Sequence, residues 1–172
     1  MKHCAIFLLA LLALSNCTSP MAKPEFSSGN IDVGVVVKDM DRSMDFYLNV
    51  IGMKKVDEFD VTAEFGAESG LTRGLPFHVN VLKLQDNPLA NQWKLMSFPD
   101  EESTPRSQVI HDDRGVQYVT INVTSLAPIL ERIKTNQVRM LGKTPIPLNE
   151  TDHFVLIQDP DGTFIELIGP LD

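Results

Sequence analysis

Residues 33–53 read VGVVVKDMDRSMDFYLNVIGM, which joins a strand pattern to a helix pattern. Its valine-rich start predicts a β-strand over 31–37, because β-branched residues favour extended backbone. Asp39 or Asp41 can then cap the first turn of a helix. That helix carries an apolar stripe at helical spacing, made by Met44, Tyr47, Val50 and Ile51. Gly52 follows where a helix end favours a residue that tolerates positive φ.

The second half of the chain repeats this strand–helix unit. Residues 118–123 (YVTINV) alternate apolar and polar side chains, as a half-buried strand does. Ser125 can cap the next helix, whose apolar positions are Leu126, Ile129, Leu130 and Ile133. The strands of the two units match at a constant offset of 86 residues, which pairs Val33, Val35 and Val37 with Val119, Ile121 and Val123. The repeat indicates two copies of one structural module.

Each predicted helix is followed by strands rather than by a further helix. In the first unit they cover 54–61, 77–84 and 93–98, and in the second 138–141, 154–158 and 164–168. The last two strands are joined by the turn sequence DPDG at 159–162. The pattern is βαβββ twice, an α+β fold whose paired modules form a curved mixed sheet with a central cleft. Its predicted limits are 30–99 for module one, 100–114 for the link and 115–172 for module two.

The stretch at 33–53 resembles the opening of vicinal-oxygen-chelate proteins, and DPDGTFIELIGP at 159–170 resembles the end of the same domain. This superfamily includes glyoxalase I, methylmalonyl-CoA epimerase, bleomycin and fosfomycin resistance proteins and extradiol dioxygenases. The likeness covers essentially all of residues 30–172. It implies the glyoxalase-like fold, with a ligand site on the first and last strand of each module.

The resemblance also implies which residues stand at the metal-ligand positions, namely Asp32, Lys94, Tyr118 and Glu166. Glu166 matches the commonest ligand of the superfamily, and Asp32 replaces a His or Gln with a carboxylate that can bind a divalent ion. Tyr118 replaces a His with a phenol, a poor ligand at neutral pH. If a metal binds, Asp32 and Glu166 are its expected ligands.

Lys94 argues against that metal. Its ammonium has three donors and no lone pair, and a cation at this position would repel a bound ion. We expect Lys94 to replace the metal, with its charge held by Asp32 and Glu166. A plain salt bridge that fills the cleft is the competing interpretation.

The remaining predicted cleft residues suit a small organic molecule. Lys94 and Tyr118 could bind an anionic or carbonyl-containing ligand, with Tyr118 as a hydrogen-bond donor or general acid and Glu166 as a base. By strand alternation the shared faces also carry Asn122, Phe98, Phe164, Val36, Met96, Thr120 and Ile168. Taken singly, Met96, Phe98 and Ile168 fit core positions.

The N-terminus predicts export. Residues 4–14 are an uninterrupted apolar run after a short positive start, too short to span a membrane. The sequence LSNC at 14–17 resembles a bacterial lipobox. We expect a signal peptide over 1–16, a lipidated Cys17 that starts a flexible tether over 17–29, and a periplasmic or cell-envelope lipoprotein. An ordinary signal peptide cleaved after Ala22 is the alternative.

The composition limits the partners. The chain has 15 basic and 23 acidic residues, a net charge of −8, which argues against nucleic acid or anionic lipid. Membrane contact is expected through the lipid alone, a small-molecule ligand is the expected partner, and a homodimer is a further candidate.

Three functions stay open at this point. The preferred one is a metal-free ligand-binding protein. The predicted export favours it, because the thiol cofactors of glyoxalase I and the epimerase are mainly intracellular. A lyase or isomerase that uses Glu166 as base with a divalent metal is the alternative. The third is a non-catalytic lipoprotein with a vestigial cleft.

Overall fold

The computed structural model describes residues 24–99 and 107–172. The predicted signal peptide and the lipidated Cys17 lie outside these described residues. No helix within the described ranges is both long and apolar enough to cross a membrane.

Module one contains four strands and two α-helices. In chain order they are β1 (Val33–Val36), α1 (Met40–Asp45) with a π-helical continuation (Phe46–Ile51), β2 (Lys54–Val61), α2 (Ala63–Glu68), β3 (Phe77–Lys83) and β4 (Trp93–Met96). Module two contains four strands and one helix: β5 (Tyr118–Asn122), α3 (Ala127–Thr135), β6 (Ile146–Pro147), β7 (His153–Gln158) and β8 (Phe164–Gly169).

The two modules form two four-stranded sheets with the same topology. The strand orders are β1-β4-β3-β2 and β5-β8-β7-β6. In each sheet the first and last strands of the module pair in parallel, and the other neighbours are antiparallel. The predicted α+β fold of paired βαβββ modules is confirmed.

Several local predictions are confirmed by hydrogen bonds. Asp39 caps α1 and accepts the N–H of Arg42 at 3.0 Å. Gly52 ends the helical segment with φ 90°. In the 159–162 turn, Oδ1 of the buried Asp159 accepts the backbone N–H of the three residues that follow Pro160, and Gly162 has φ 102°.

Three local predictions were wrong or incomplete. The strand predicted over 138–141 is absent, since this stretch follows a turn at Gln137 (φ 54°) and only Leu141 N–H bonds a β7 carbonyl, that of Leu156. The edge strand β6 lies further along, after Gly142. The short helix α2 was not predicted, because six residues give too little periodicity to show a helical face. Ser125 accepts the N–H of Ala127, but Leu126 occupies the cap position of α3.

One hydrophobic core is shared by both modules. Module one contributes Tyr47, Val50, Ile51, Leu82 and Leu95 to it, and module two contributes Ile129, Ile133, Ile157, Ile165 and Leu167. These residues come from the helices and from the helix-facing side of each sheet. The opposite side of each sheet therefore lies outside this core.

Several polar contacts also join the modules. Arg132 of α3 donates from Nε and Nη2 to the carbonyls of Val50 and Ile51, at 2.9 and 3.0 Å, at the end of the π-helical segment. The hydroxyl of Tyr47 donates to Asp159 at 2.7 Å. The helical segment of module one is thus held by both the helix and the last turn of module two.

Candidate functional site

The outer face of the first sheet carries Lys94. In the strand register Lys94 lies opposite Gly34 of β1 on one side and Val81 of β3 on the other. Val36 and Met96 pair two residues further along, on the same face. Val36 is 62% exposed, so this edge of the face is open to solvent.

Lys94 holds Asp32, as predicted. The distance from Lys94 Nζ to Asp32 Oδ2 is 3.1 Å, and Asp32 Oδ1 accepts the backbone N–H of Gln92 at 3.0 Å. The Gln92 amide and then the Lys94 ammonium hold the pKa of the Asp32 carboxyl below its ordinary value. The Lys94 and Asp32 side chains are 29% and 38% exposed, so the pair is half-open to water rather than a buried salt bridge.

An apolar wall stands beside Lys94. Val79 and Val81 of β3 are each 2% exposed and form a small second core with Val61, against which Phe77 and Met96 pack. The ring of Phe98 lies 5.1 Å from that of Phe77, between centroids. Met96 and Phe98 thus belong to this wall, and Val79 and Val81 are wall residues that the sequence analysis missed.

The outer face of the second sheet carries Glu166. Glu166 lies opposite Thr120 of β5, and the Thr120 hydroxyl donates to Glu166 Oε2 at 2.6 Å. Tyr118 is 46% exposed on the same face, and Asn122 is exposed. Phe164, opposite Tyr118, is only 1% exposed and is a packing residue in the described chain. Ile168 is half-buried.

The Thr120 contact with Glu166 is a part of the candidate site that sequence patterns do not identify. They predict the cleft face for Thr120 but no partner. Strand alternation puts it two residues after Tyr118, so the face was predictable, whereas the pairing with Glu166 needs the register between β5 and β8.

The structure therefore shows two half-sites. In the described part of the chain, no hydrogen bond or ion pair joins the Lys94–Asp32 pair to the Thr120–Glu166 pair. The expected contact of Lys94 with Glu166 is absent among the described residues, where Lys94 bonds Asp32 and Glu166 accepts a hydrogen bond from Thr120. Of the four predicted residues, only Lys94 and Asp32 bond each other; Tyr118 lies opposite Phe164, on the same face as Glu166.

The residues present do not fit the metal site that the resemblance implies. Asp32, one of its two expected carboxylates, already accepts a hydrogen bond from the Lys94 ammonium, which supplies no lone pair. The described residues also contain no group of three His, Cys, Asp or Glu side chains placed to hold an ion. The metal-free cleft nevertheless stays a prediction that needs metal analysis.

A separate groove of about 600 Å³ lies between α1 and module two. Arg42, Phe46, Arg139 and Gln158 are among its lining residues. It touches none of the residues of the two half-sites, so its size does not make it the candidate site.

A family model described as the Glyoxalase/Bleomycin resistance protein/Dioxygenase superfamily matches residues 31–167. The chain belongs to this superfamily. A curated relative, a lactoylglutathione lyase from Pseudomonas putida, is 28% identical over 146 residues, which is 78% of this chain and 80% of the relative.

Solved structures of superfamily members share the fold. A glyoxalase family protein from Bacillus cereus superposes with a TM-score of 0.71 at 19% identity, over 88% of this chain and 99% of that protein. The trypanothione-dependent glyoxalase I of Leishmania major gives a TM-score of 0.55 at 19% identity, over 80% of this chain and 84% of the enzyme. At these identities the likeness establishes architecture, and the chemistry of this superfamily member must come from its own residues.

Proposed function

We propose that this superfamily member is an exported, lipid-anchored protein that binds a small organic anion or carbonyl compound without a metal. The observation that carries the proposal is the Lys94–Asp32 pair, with its 3.1 Å contact, on a half-open face beside an apolar wall. It puts an ammonium where related proteins would place a metal ligand.

Lys94 is suited to anchor such a ligand. The ammonium has three N–H donors, and among the described residues Asp32 accepts one, which leaves two for a carboxylate or carbonyl oxygen. Asp32 limits the motion of the ammonium without burying it. The wall formed by Phe77, Met96 and Phe98 offers apolar contact to the body of the same ligand.

The face that carries Glu166 offers further polar groups for a ligand. Tyr118 can donate its phenolic hydrogen, and Asn122 adds an amide on the same exposed face. An apolar wall with a few converging polar groups is the usual composition of a site for a small molecule.

Export and lipidation are part of this proposal and rest on the sequence at 14–17. They favour binding over glyoxalase chemistry, since thiol cofactors are mainly intracellular. A vestigial cleft that binds nothing is the outcome that the ligand test below would reveal.

A lyase or isomerase is the second candidate, supported by the relative named lactoylglutathione lyase. In that role Glu166 would act as a base toward a carbon acid next to a carbonyl, and the Thr120 hydrogen bond would fix the orientation of its carboxylate. This candidate needs a divalent ion, which the Lys94 ammonium opposes.

Metal analysis and a ligand screen test the two candidates together. We expect less than about 0.1 equivalent of transition metal in protein purified without chelator, and a thermal shift with one or more probes from a set of small carboxylates and dicarbonyls. One equivalent of metal that is lost on Glu166→Ala would favour the enzyme. Lys94→Glu should move the site toward metal binding, because an oxygen donor replaces a repelling cation.

Lys94→Met tests the anchor directly, since it keeps an unbranched side chain only one atom shorter and removes the charge. It should abolish the shift with carboxylate probes. Lys134→Met, on the exposed surface of α3, is the matched control and should leave the shift unchanged. A shift that survives Lys94→Met would contradict the proposed anchor.

A further inference from the structure

The groove of about 600 Å³ between α1 and module two has an apolar floor. Phe46 and Val50 line it from the helical segment of module one and are only 5% and 2% exposed. Val138 and Leu141 line it from module two and are half-buried. A cavity of this volume is of the size that holds a small organic molecule. The groove therefore offers apolar contact to a ligand from both modules.

Hydrogen bonds within the chain fix both walls of the groove. On one side, Arg132 Nε donates to the carbonyl of Val50 at 2.9 Å and holds the helical segment against module two. On the other side, the Gln158 side-chain amide donates to the carbonyls of Ser107 and Gly162, at 2.8 and 2.9 Å. Because the chain itself makes these bonds, the groove is already formed, and little ordering is needed when a ligand binds.

Two arginines line the groove from the two modules. Arg42 belongs to α1, and Arg139 belongs to the segment that follows α3. Both are exposed, and neither side chain forms an ion pair or a hydrogen bond with the described residues. In a chain with 23 acidic and 15 basic residues, two such arginines at one groove leave positive charge there that the protein does not pair.

The acidic residues of the groove are engaged elsewhere. Asp159 is 1% exposed, and its carboxylate accepts the Tyr47 hydroxyl and three backbone N–H groups. Asp45 Oδ1 accepts the side-chain amide of Asn49 at 2.6 Å, within the same helical segment. Neither carboxylate forms an ion pair in the described ranges. A bound anion is therefore the available partner for both guanidinium groups.

Gln137 also lines the groove, and its backbone conformation favours glycine. Its φ is 54°, and it is the one non-glycine residue with positive φ in the part of the chain that the structure describes. It follows Asn136 at the end of α3, where glycine is the usual residue. Backbone strain of this kind is often kept for a functional side chain. Here the glutamine places an amide at the groove although glycine would fit the backbone better.

We propose that the groove is a second binding site, for a small organic phosphate monoester with an apolar body. Arg42 and Arg139 hold the phosphate, and the Gln137 amide donates to one of its oxygens. Phe46 and Val50 contact the apolar body.

A phosphate fits these groups better than a carboxylate does. Its charge of about −1.5 to −2 at neutral pH matches two guanidinium groups, and its three oxygens can accept N–H groups from both walls. The site shares no residue with the Lys94 face, so the inference does not depend on the ligand proposed there.

Calorimetry with phenyl phosphate tests the site in the Lys94→Met chain, which lacks the proposed anchor of the other face. We expect one phenyl phosphate to bind per chain. Benzoate keeps the ring with a single charge, and inorganic phosphate lacks the apolar body. Each should bind at least about tenfold more weakly than phenyl phosphate.

The arginines are tested in the same Lys94→Met background. Arg42→Gln and Arg139→Gln should each weaken phenyl phosphate binding by at least about tenfold, because a charge-assisted hydrogen bond is lost. Arg73→Gln removes an exposed arginine that does not line the groove and should leave the affinity unchanged. An equal loss with Arg73→Gln would show attraction by overall charge and would overturn the inference. Phenyl phosphate that does not bind, or that binds no better than benzoate or inorganic phosphate, would overturn it as well.

Gln137→Gly gives a result that a purely structural residue would not produce. Glycine relieves the left-handed backbone, so the melting temperature of the chain without phenyl phosphate should rise. The amide is lost, so the affinity for phenyl phosphate should fall by at least about threefold. Stability and binding should thus change in opposite directions. A Gln137→Gly chain that binds phenyl phosphate as tightly as its parent would overturn the role given to Gln137.

Discussion

The hydroxyl of Tyr47 donates a 2.7 Å hydrogen bond to the carboxylate of Asp159, a residue that is only 1% exposed. The two residues belong to different modules, the first to the π-helical segment and the second to the turn before β8. Burial, and then the neighbouring Asp159 charge, raise the pKa of Tyr47 far above its ordinary value. Tyr47 thus stays a neutral donor at every working pH.

Tyr47→Phe should destabilise the folded chain by about 1–3 kcal/mol, because it removes one donor from a buried carboxylate. Urea unfolding measures this loss. Tyr118→Phe removes a hydroxyl from an exposed face and should change the free energy of unfolding by no more than about 0.5 kcal/mol. Equal effects of the two substitutions on the free energy of unfolding would show that the Tyr47–Asp159 hydrogen bond does not stabilise the fold.

Gly169→Ala should be destabilising by about 1–3 kcal/mol or more, because there is no room for a side chain. A Cβ at Gly169 would lie 2.3 Å from the backbone carbonyl oxygen of Val123, which cannot rotate away. Gly29→Ala is the matched control, with nothing within 4 Å of the added methyl. Thermal melting of both variants checks the difference, and an unchanged Gly169→Ala melting temperature would contradict the packing described for β8.

Asp32 should make the free energy of unfolding decrease as the pH falls into the acid range. Its pKa is lowered in the folded state, so the stability it contributes is fully present above its unfolded pKa of about 3.9 and is lost as pH falls through the folded value. The stability difference between wild type and Asp32→Asn should be constant near neutral pH and shrink below about pH 4. Because the side chain is 38% exposed, the difference should be small and should decrease in high salt. A difference that grows on acidification would have the wrong sign for this pair.

Cys17 is the proposed attachment site of the lipid anchor, and its substitution tests that proposal. If it is acylated, the protein should fractionate with membranes, and Cys17→Ser should release it or block its maturation. Membrane fractionation followed by immunoblotting measures this. Unchanged partitioning of Cys17→Ser would instead favour an ordinary signal peptide.

The elements that could be predicted from sequence are those with a strong local pattern. Alternation in 118–123, the carboxylate at Asp39 and the glycines at 52 and 162 each predict one geometry, and each is found. The π-helical segment could not be predicted. The N–H of Gly52 bonds the carbonyl of Tyr47, five residues back, although the apolar spacing fits an ordinary helix.

For the candidate site, the sequence predicts the sheet face of each residue but not how the two faces are arranged. Strand alternation predicts the sheet face on which Lys94 lies, and likewise the face of Glu166. The resemblance to the superfamily indicates that these two positions belong to the site. Where one sheet stands relative to the other depends on how α3 packs against the helical segment of module one, through contacts such as Arg132 with Val50. No local sequence pattern encodes that packing. This is why the predicted contact between Lys94 and Glu166 was wrong for the described residues.

The shared core has a consequence for biosynthesis. Tyr47, Val50 and Ile51 pack with Ile129, Ile133 and Leu167, which a ribosome adds much later. The first module cannot complete this core while the second is still being made. We expect a nascent chain to keep this core incomplete until β8 has been made, which would suit the export proposed above.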